Sequence, residues 1–202
     1  MGGGRLVAMG FVLAVALGGL PSCAGWPAGP RRPDARSEPV VTTSSPAARA
    51  CTGAGLGLSY EPSVFFQATG DRGIAFRLRN LGAGACRLIG YPKVALLDRA
   101  GIALPFRYTD GHNAYITRRR PVAITLTPGG TAYVGVAKYR CDVGGRGLAV
   151  RIVMTLPGGG PALSTSLSGR ALSISYCVGG PRDPGNSVGI SPFEARAGSV
   201  QF

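Results

Sequence analysis

The sequence predicts an all-β domain, an antiparallel sandwich of about seven to nine short strands held by two disulfides and preceded by a disordered tether. Three observations carry this. Apolar residues recur at spacing two, as in Ile74, Phe76 and Leu78, with Asn80 continuing the phase and Arg77 and Arg79 between them; this is the pattern of strands with one buried face. Turn signals separate the runs at Thr69-Gly70-Asp71, Asn80-Leu81-Gly82, Asp98–Gly101, Pro128-Gly129-Gly130 and Pro157–Pro161, and spacing of this kind favours a sandwich over alternating βα units. The chain of 202 residues also contains 33 Gly and 16 Pro, a composition that argues against helical bundles.

Taken in order, the first element is a leader. Arg5 is the only charge before residue 31, and Leu6–Leu20 is a continuous run of apolar residues and glycine. The run is shorter than the ~20 residues of a permanent membrane helix, and it matches the charged and apolar regions of an export signal. Leu20-Pro21-Ser22-Cys23 then resembles a bacterial lipobox, with Pro21 where Ala, Ser, Thr or Val is more usual. The resemblance implies removal of residues 1–22 and diacylglyceryl and palmitate modification of Cys23. Its rivals are plain secretion without lipid and an uncleaved anchor. Two acyl chains hold a protein at a membrane where one does not, so the expected location is the extracytoplasmic face of the cell membrane.

Residues 23–50 read as a tether. Pro27, Pro30, Pro33, Pro39 and Pro46 punctuate a stretch without apolar period, the composition of an extended linker. Trp26 lies close enough to the lipid site to reach the membrane interface, or is simply an exposed tether residue.

The folded domain is expected over 51–178. Beyond Ile74–Asn80, the alternating runs are Val122-Ile124-Leu126, Leu148-Val150-Ile152-Met154-Leu156 and Leu172-Ile174-Tyr176-Val178. Export leaves Cys51, Cys86, Cys141 and Cys177 in an oxidising compartment, where disulfides persist. Four cysteines allow three pairings. Cys51–Cys86 with Cys141–Cys177 is favoured because it closes two loops of nearly equal length. Zinc is disfavoured, with no CxxC spacing and His112 as the single histidine. Residues 179–202 are again rich in Gly and Pro and read as a frayed tail. Val188, Ile190 and Phe193 offer an edge strand as the alternative.

Cys86-Arg-Leu-Ile-Gly-Tyr-Pro-Lys-Val-Ala-Leu-Leu-Asp98-Arg-Ala-Gly101 resembles the central motif of a family of domains of unknown function, number 4232, common in lipoproteins and secreted proteins of actinobacteria. An upstream strand ending in Asn80, an earlier Cys51, a downstream Leu126-Thr-Pro-Gly-Gly-Thr-Ala132 and the later Cys141 and Cys177 fit the same pattern. The resemblance covers roughly 51–178. It implies an immunoglobulin-like sandwich, supports the two disulfides and implies no activity.

The chemistry on offer is thin. A catalytic triad needs His112, and no GxSxG elbow is present to carry its serine. The seven carboxylates of residues 51–202 are scattered at turns, and Gly158–Gly160 is followed by neither helix nor lysine, so it is no phosphate cradle. The expected protein is therefore not an enzyme and takes no cofactor or metal. The whole chain carries a net charge of +13, most of it on residues 51–202. Arg118, Arg119 and Arg120 follow Tyr108, His112 and Tyr115, a basic, aromatic loop suited to anionic lipid or acidic envelope polymer; the competing reading is a solvated charge run. Nucleic acid belongs to another compartment. The leading reading is a lipid-anchored surface module that binds or has a structural role. The alternatives are an accessory subunit that pairs with an envelope protein through a sheet edge, and an envelope hydrolase using His112 with Asp110.

Overall fold

The computed structural model describes residues 48–111, 115–167, 169 and 174–201. The leader, Cys23, Trp26 and nearly all of the tether lie outside these, as do His112 and Leu172. Among the described residues the chain forms thirteen strands: β1 Arg49–Ala50, β2 Leu56–Ala68, β3 Asp71–Asn80, β4 Cys86–Leu88, β5 Lys93–Leu97, β6 Arg107–Asp110, β7 Ile124–Leu126, β8 Thr131–Tyr139, β9 Gly145–Ala149, β10 Arg151–Thr155, β11 Leu163–Ser166, β12 Ile174–Cys177 and β13 Ser187–Ile190. No described helix is long and apolar enough to cross a membrane.

One layer is a five-stranded sheet in the order β2-β3-β8-β13-β6. Its inner face presents Leu56, Ile74, Phe76, Leu78, Val134, Val136, Val188 and Ile190 to the main core. Three smaller sheets face it, ordered β1-β4-β7, β11-β10-β5 and β12-β9. They contribute Leu88, Leu126, Leu96, Ile152, Met154, Ala149, Ile174 and Tyr176 to the same core. The result is an all-β, sandwich-like arrangement with the disulfides Cys51–Cys86 and Cys141–Cys177.

The alternation in Ile74–Asn80 lies where the period placed it, with all four even-numbered residues buried. The turns also form. Thr69 and Gly70 both take positive φ in the β2–β3 hairpin, the twist that a two-residue hairpin turn requires. The Asp98 carboxylate accepts the N–H groups of Ala100 and Ile102, an aspartate-stabilised turn.

Several expectations need correction. The described strands exceed seven to nine because runs read as single strands are divided, and not all neighbours are antiparallel: β1 with β4 and β6 with β13 are parallel. The run Leu148–Leu156 is two strands in two sheets. Leu148 is 40% exposed, Ala149 is buried at 1%, and the inward phase resumes at Ile152. The parity slips across Val150, whose N–H and C=O bond to Leu97 and Leu167 instead. Val122 and Val178 are exposed, outside β7 and β12.

The largest correction concerns residues 179–201. They are not a frayed tail. Strand β13 enters the five-stranded sheet between β8 and β6, burying Val188, Ile190 and Phe193. The chain then crosses the sheet's outer face, where Val200 packs with Val64 and Ala75. The domain therefore runs well past residue 178. Asn186 fixes the entry to β13: its side chain accepts the Cys177 N–H and donates to the Cys177 and Gly180 carbonyls.

Candidate functional site

The basic loop is built on buried anchors. Ile116 and Thr117 are buried, and the Thr117 N–H donates to the Val200 carbonyl at 3.1 Å. The C-terminal segment, expected as a tail, thus holds the loop from beneath. The Arg119 N–H donates to the Thr117 hydroxyl at 3.4 Å, and Arg118, Arg119 and Arg120 are all exposed. Glu194 is the acidic group below them. Burial raises its carboxyl pKa, and the Arg119 charge works in the opposite direction. The loop therefore presents guanidinium groups outward above a mostly buried carboxylate.

The two tyrosines expected beside the arginines part company: Tyr108 leaves the loop for a strand, and Tyr115 stays in it. Tyr108 lies in β6, its hydroxyl accepts the Leu96 N–H at 2.9 Å, and burial raises its pKa. Its ring meets Phe106 edge-on with centroids 6.4 Å apart, so Tyr108 packs against the core rather than on the loop's surface. Tyr115 stacks at a tilt on Phe66 with centroids 5.5 Å apart, and its hydroxyl bonds that of Thr69. This ties the loop to the β2–β3 hairpin. Asp110 is exposed at the end of β6; its charge and that of Glu194 add to burial in raising the Tyr91 pKa.

Two further charged groups, neither of them part of a sequence motif, are buried in the fold. Glu61 is buried on the outer face of the sheet. It accepts the Ser63 hydroxyl at 2.7 Å and the Ser63 N–H at 3.1 Å, and Arg77 pairs with it at 2.6 Å. The Ser63 hydroxyl contributes most to lowering its carboxyl pKa, with Arg77 adding to the effect. Glu61 pairs with Ala75 and shares the outer face with Arg77 by simple alternation, and Pro62, which cannot donate to a ladder, sits where the β2–β3 register shifts between Glu61 and Phe65.

Lys138 is the second. It follows Ala132, Val134 and Val136 on the inward parity of β8 and is only 6% exposed. A lysine on the buried phase of a strand was a legible signal. Its ammonium donates to the Tyr139 carbonyl at 2.7 Å and lies 3.9 Å from both sulfurs of Cys141–Cys177. Lys138 lines an open cleft of about 470 Å³ between the β2–β3 hairpin, β8 and the β9–β12 pair. Among the described residues no group of three or more His, Cys, Asp or Glu is placed to hold a metal.

A family model described as Domain of unknown function (DUF4232) matches residues 51–194. The match extends past residue 178 and takes in β13, in keeping with its place inside the sheet. No curated protein and no solved structure matches the chain.

Proposed function

The chain belongs to the DUF4232 family, and on that premise we propose that it is a non-enzymatic, lipid-anchored surface module of the cell envelope, displaying its sandwich domain on a Pro-rich tether and binding anionic envelope material. The family resemblance carries the further reading of the sandwich as immunoglobulin-like. The anchor rests on the charged and apolar leader and on Cys23. The binding role rests on one observation: three consecutive arginines are exposed on a loop whose base, Ile116 and Thr117, is buried. Side chains presented from a fixed base lose less entropy on binding than those of a free loop.

Two experiments test the reading. Labelled lipid enters the wild-type chain and not Cys23→Ser; continued labelling of the variant removes the anchor from the proposal. The Cys23→Ser chain, carrying no lipid, binds phosphatidylglycerol vesicles and releases them as salt rises. Each basic residue near an anionic surface contributes ~1 kcal/mol, so replacing Arg118, Arg119 and Arg120 with Ala weakens binding by roughly 100-fold. Equal binding by the triple variant refutes the role of the loop.

A further inference from the structure

The cleft beside the Cys141–Cys177 disulfide is separate from the basic loop's arginines, and its contents do not balance. Three cationic side chains, Arg72, Lys138 and Arg140, line it against one carboxylate, Asp71. Arg140 is bonded to Asp142 at 3.1 Å, both largely exposed, Arg72 is partly exposed, and Lys138 is the buried cation. An ammonium has three N–H donors. Among the described residues Lys138 has one oxygen acceptor, the neutral Tyr139 carbonyl, and otherwise only the two disulfide sulfurs, which are weak and distant acceptors. The nearby charges of Asp71 and Asp183 favour the ammonium, that of Arg72 opposes it, and burial outweighs them. A buried cation with a neutral partner is incompletely compensated.

The rest of the cleft has the form of a small-molecule site. Its volume of about 470 Å³ falls in the range of pockets that take small ligands. Ile74, Val136 and Ile174 form apolar lining, and Thr69 also lines the cleft. We propose that this cleft binds a small organic carboxylate, its anionic group paired with Lys138 and its apolar body lying along Ile74, Val136 and Ile174. A carboxylate supplies the charged acceptor that Lys138 lacks, and charge-assisted bonds of this type are the stronger class. The proposal does not depend on the arginine loop or on the lipid anchor.

The test uses the purified protein with both disulfides formed and hexanoate as the probe. Acetate supplies charge without body, hexanamide supplies body without charge, and inorganic phosphate is the competing anion. Hexanoate is expected to shift the backbone amide resonances of Asp71, Lys138 and Ser175 saturably, leaving those of Arg118–Arg120 in place. It should bind at least tenfold tighter than each of the three controls, and Lys138→Met should weaken it at least tenfold. Absence of saturable shifts at the cleft, equal binding of hexanamide, or an unchanged Lys138→Met variant overturns the site. Equal binding of acetate or phosphate overturns the organic ligand. Should Lys138→Met not fold, the ratio of hexanoate to hexanamide affinity in the wild type decides.

Discussion

The two disulfides lie near opposite ends of β3, a strand of 10 residues that spans about 30 Å, and their surroundings differ in kind. At the Cys51–Cys86 end, polar groups are matched and backbones touch. The Cys51 N–H donates to the Arg87 carbonyl, and a Cβ on Gly53 would lie 1.7 Å from the Pro161 carbonyl oxygen. The segment Pro157–Pro161 is therefore a backbone clamp. Nearby Asn80, 3% exposed, donates to the carbonyls of Gly84, Leu126 and Thr127 and accepts the Gly82 N–H. At the Cys141–Cys177 end the fold leaves an open cleft and a buried ammonium with one oxygen partner. One end is built for stability. The other keeps a buried charge that is incompletely compensated, the feature on which the proposed carboxylate site rests.

The largest effects separate the ends directly. The two bridges span 35 and 36 residues, so loop-closure entropy assigns each the same ~4 kcal/mol. Any difference must come from the folded side. Cys51→Ala with Cys86→Ala is expected to cost the full ~4 kcal/mol. Cys141→Ala with Cys177→Ala should cost about 1 kcal/mol less, because opening that end lets water reach Lys138. Urea denaturation of both double variants at pH 7 measures this, and the reverse order breaks the contrast.

Asn80→Ala comes next, at ~3 kcal/mol, since it strands several buried backbone groups whose alternative partners are excluded by packing. Thermal unfolding at pH 7 checks it; a loss under about 1 kcal/mol means that water replaces the side chain and the end is less closed than its contacts show. This residue also marks how far sequence reasoning reaches. Asn80 stood on the buried parity with Ile74, Phe76 and Leu78, and a polar residue on that parity implied a satisfied partner set. Lys138 carries the same signal after Val134 and Val136: it is the phase of a charge along a strand, rather than the number of charges in a run such as Arg118–Arg120, that marks a buried ion. Strand β13 was harder to see. Ser187–Ile190 is four residues flanked by Gly and Pro, and what makes it a strand is pairing with β6 and β8, neither adjacent in the chain. The slip at Ala149–Val150 was concealed because both residues are apolar, so either phase looks buried. Tyr108 belongs to β6, whose parallel partner is β13, a segment whose spacing offered an edge strand only as the alternative to a tail.

The smallest and most diagnostic effect is the pH dependence of the open end. Burial lowers the Lys138 pKa from 10.5 to about 8. At pH 7 the folded protein must hold an ammonium that the unfolded chain solvates freely, which lowers stability. Between pH 8 and 10.5 the unfolded chain retains a proton that the folded protein has released, so stability rises with pH across this window. The gain between pH 7 and pH 9.5 is ~2 kcal/mol, from 1.36 kcal/mol per unit. Tyr91 and Tyr108, raised above the usual tyrosine value of 10, act in the opposite sense, with stability lost as pH climbs through their folded values. Their effect falls above pH 10, outside the interval. Lys138→Met should abolish the rise and leave the protein at least as stable as wild type at pH 7, since replacing an incompletely compensated buried ion by a packed apolar side chain is often neutral or stabilising. Urea titrations at pH 7 and 9.5 on both proteins supply the four numbers required. A parallel rise in wild type and variant would assign the pH dependence to some other group and remove the energetic asymmetry between the two ends. A rise confined to the wild type shows that the open end keeps its charge at a cost to stability, while Asn80 at the closed end contributes stability.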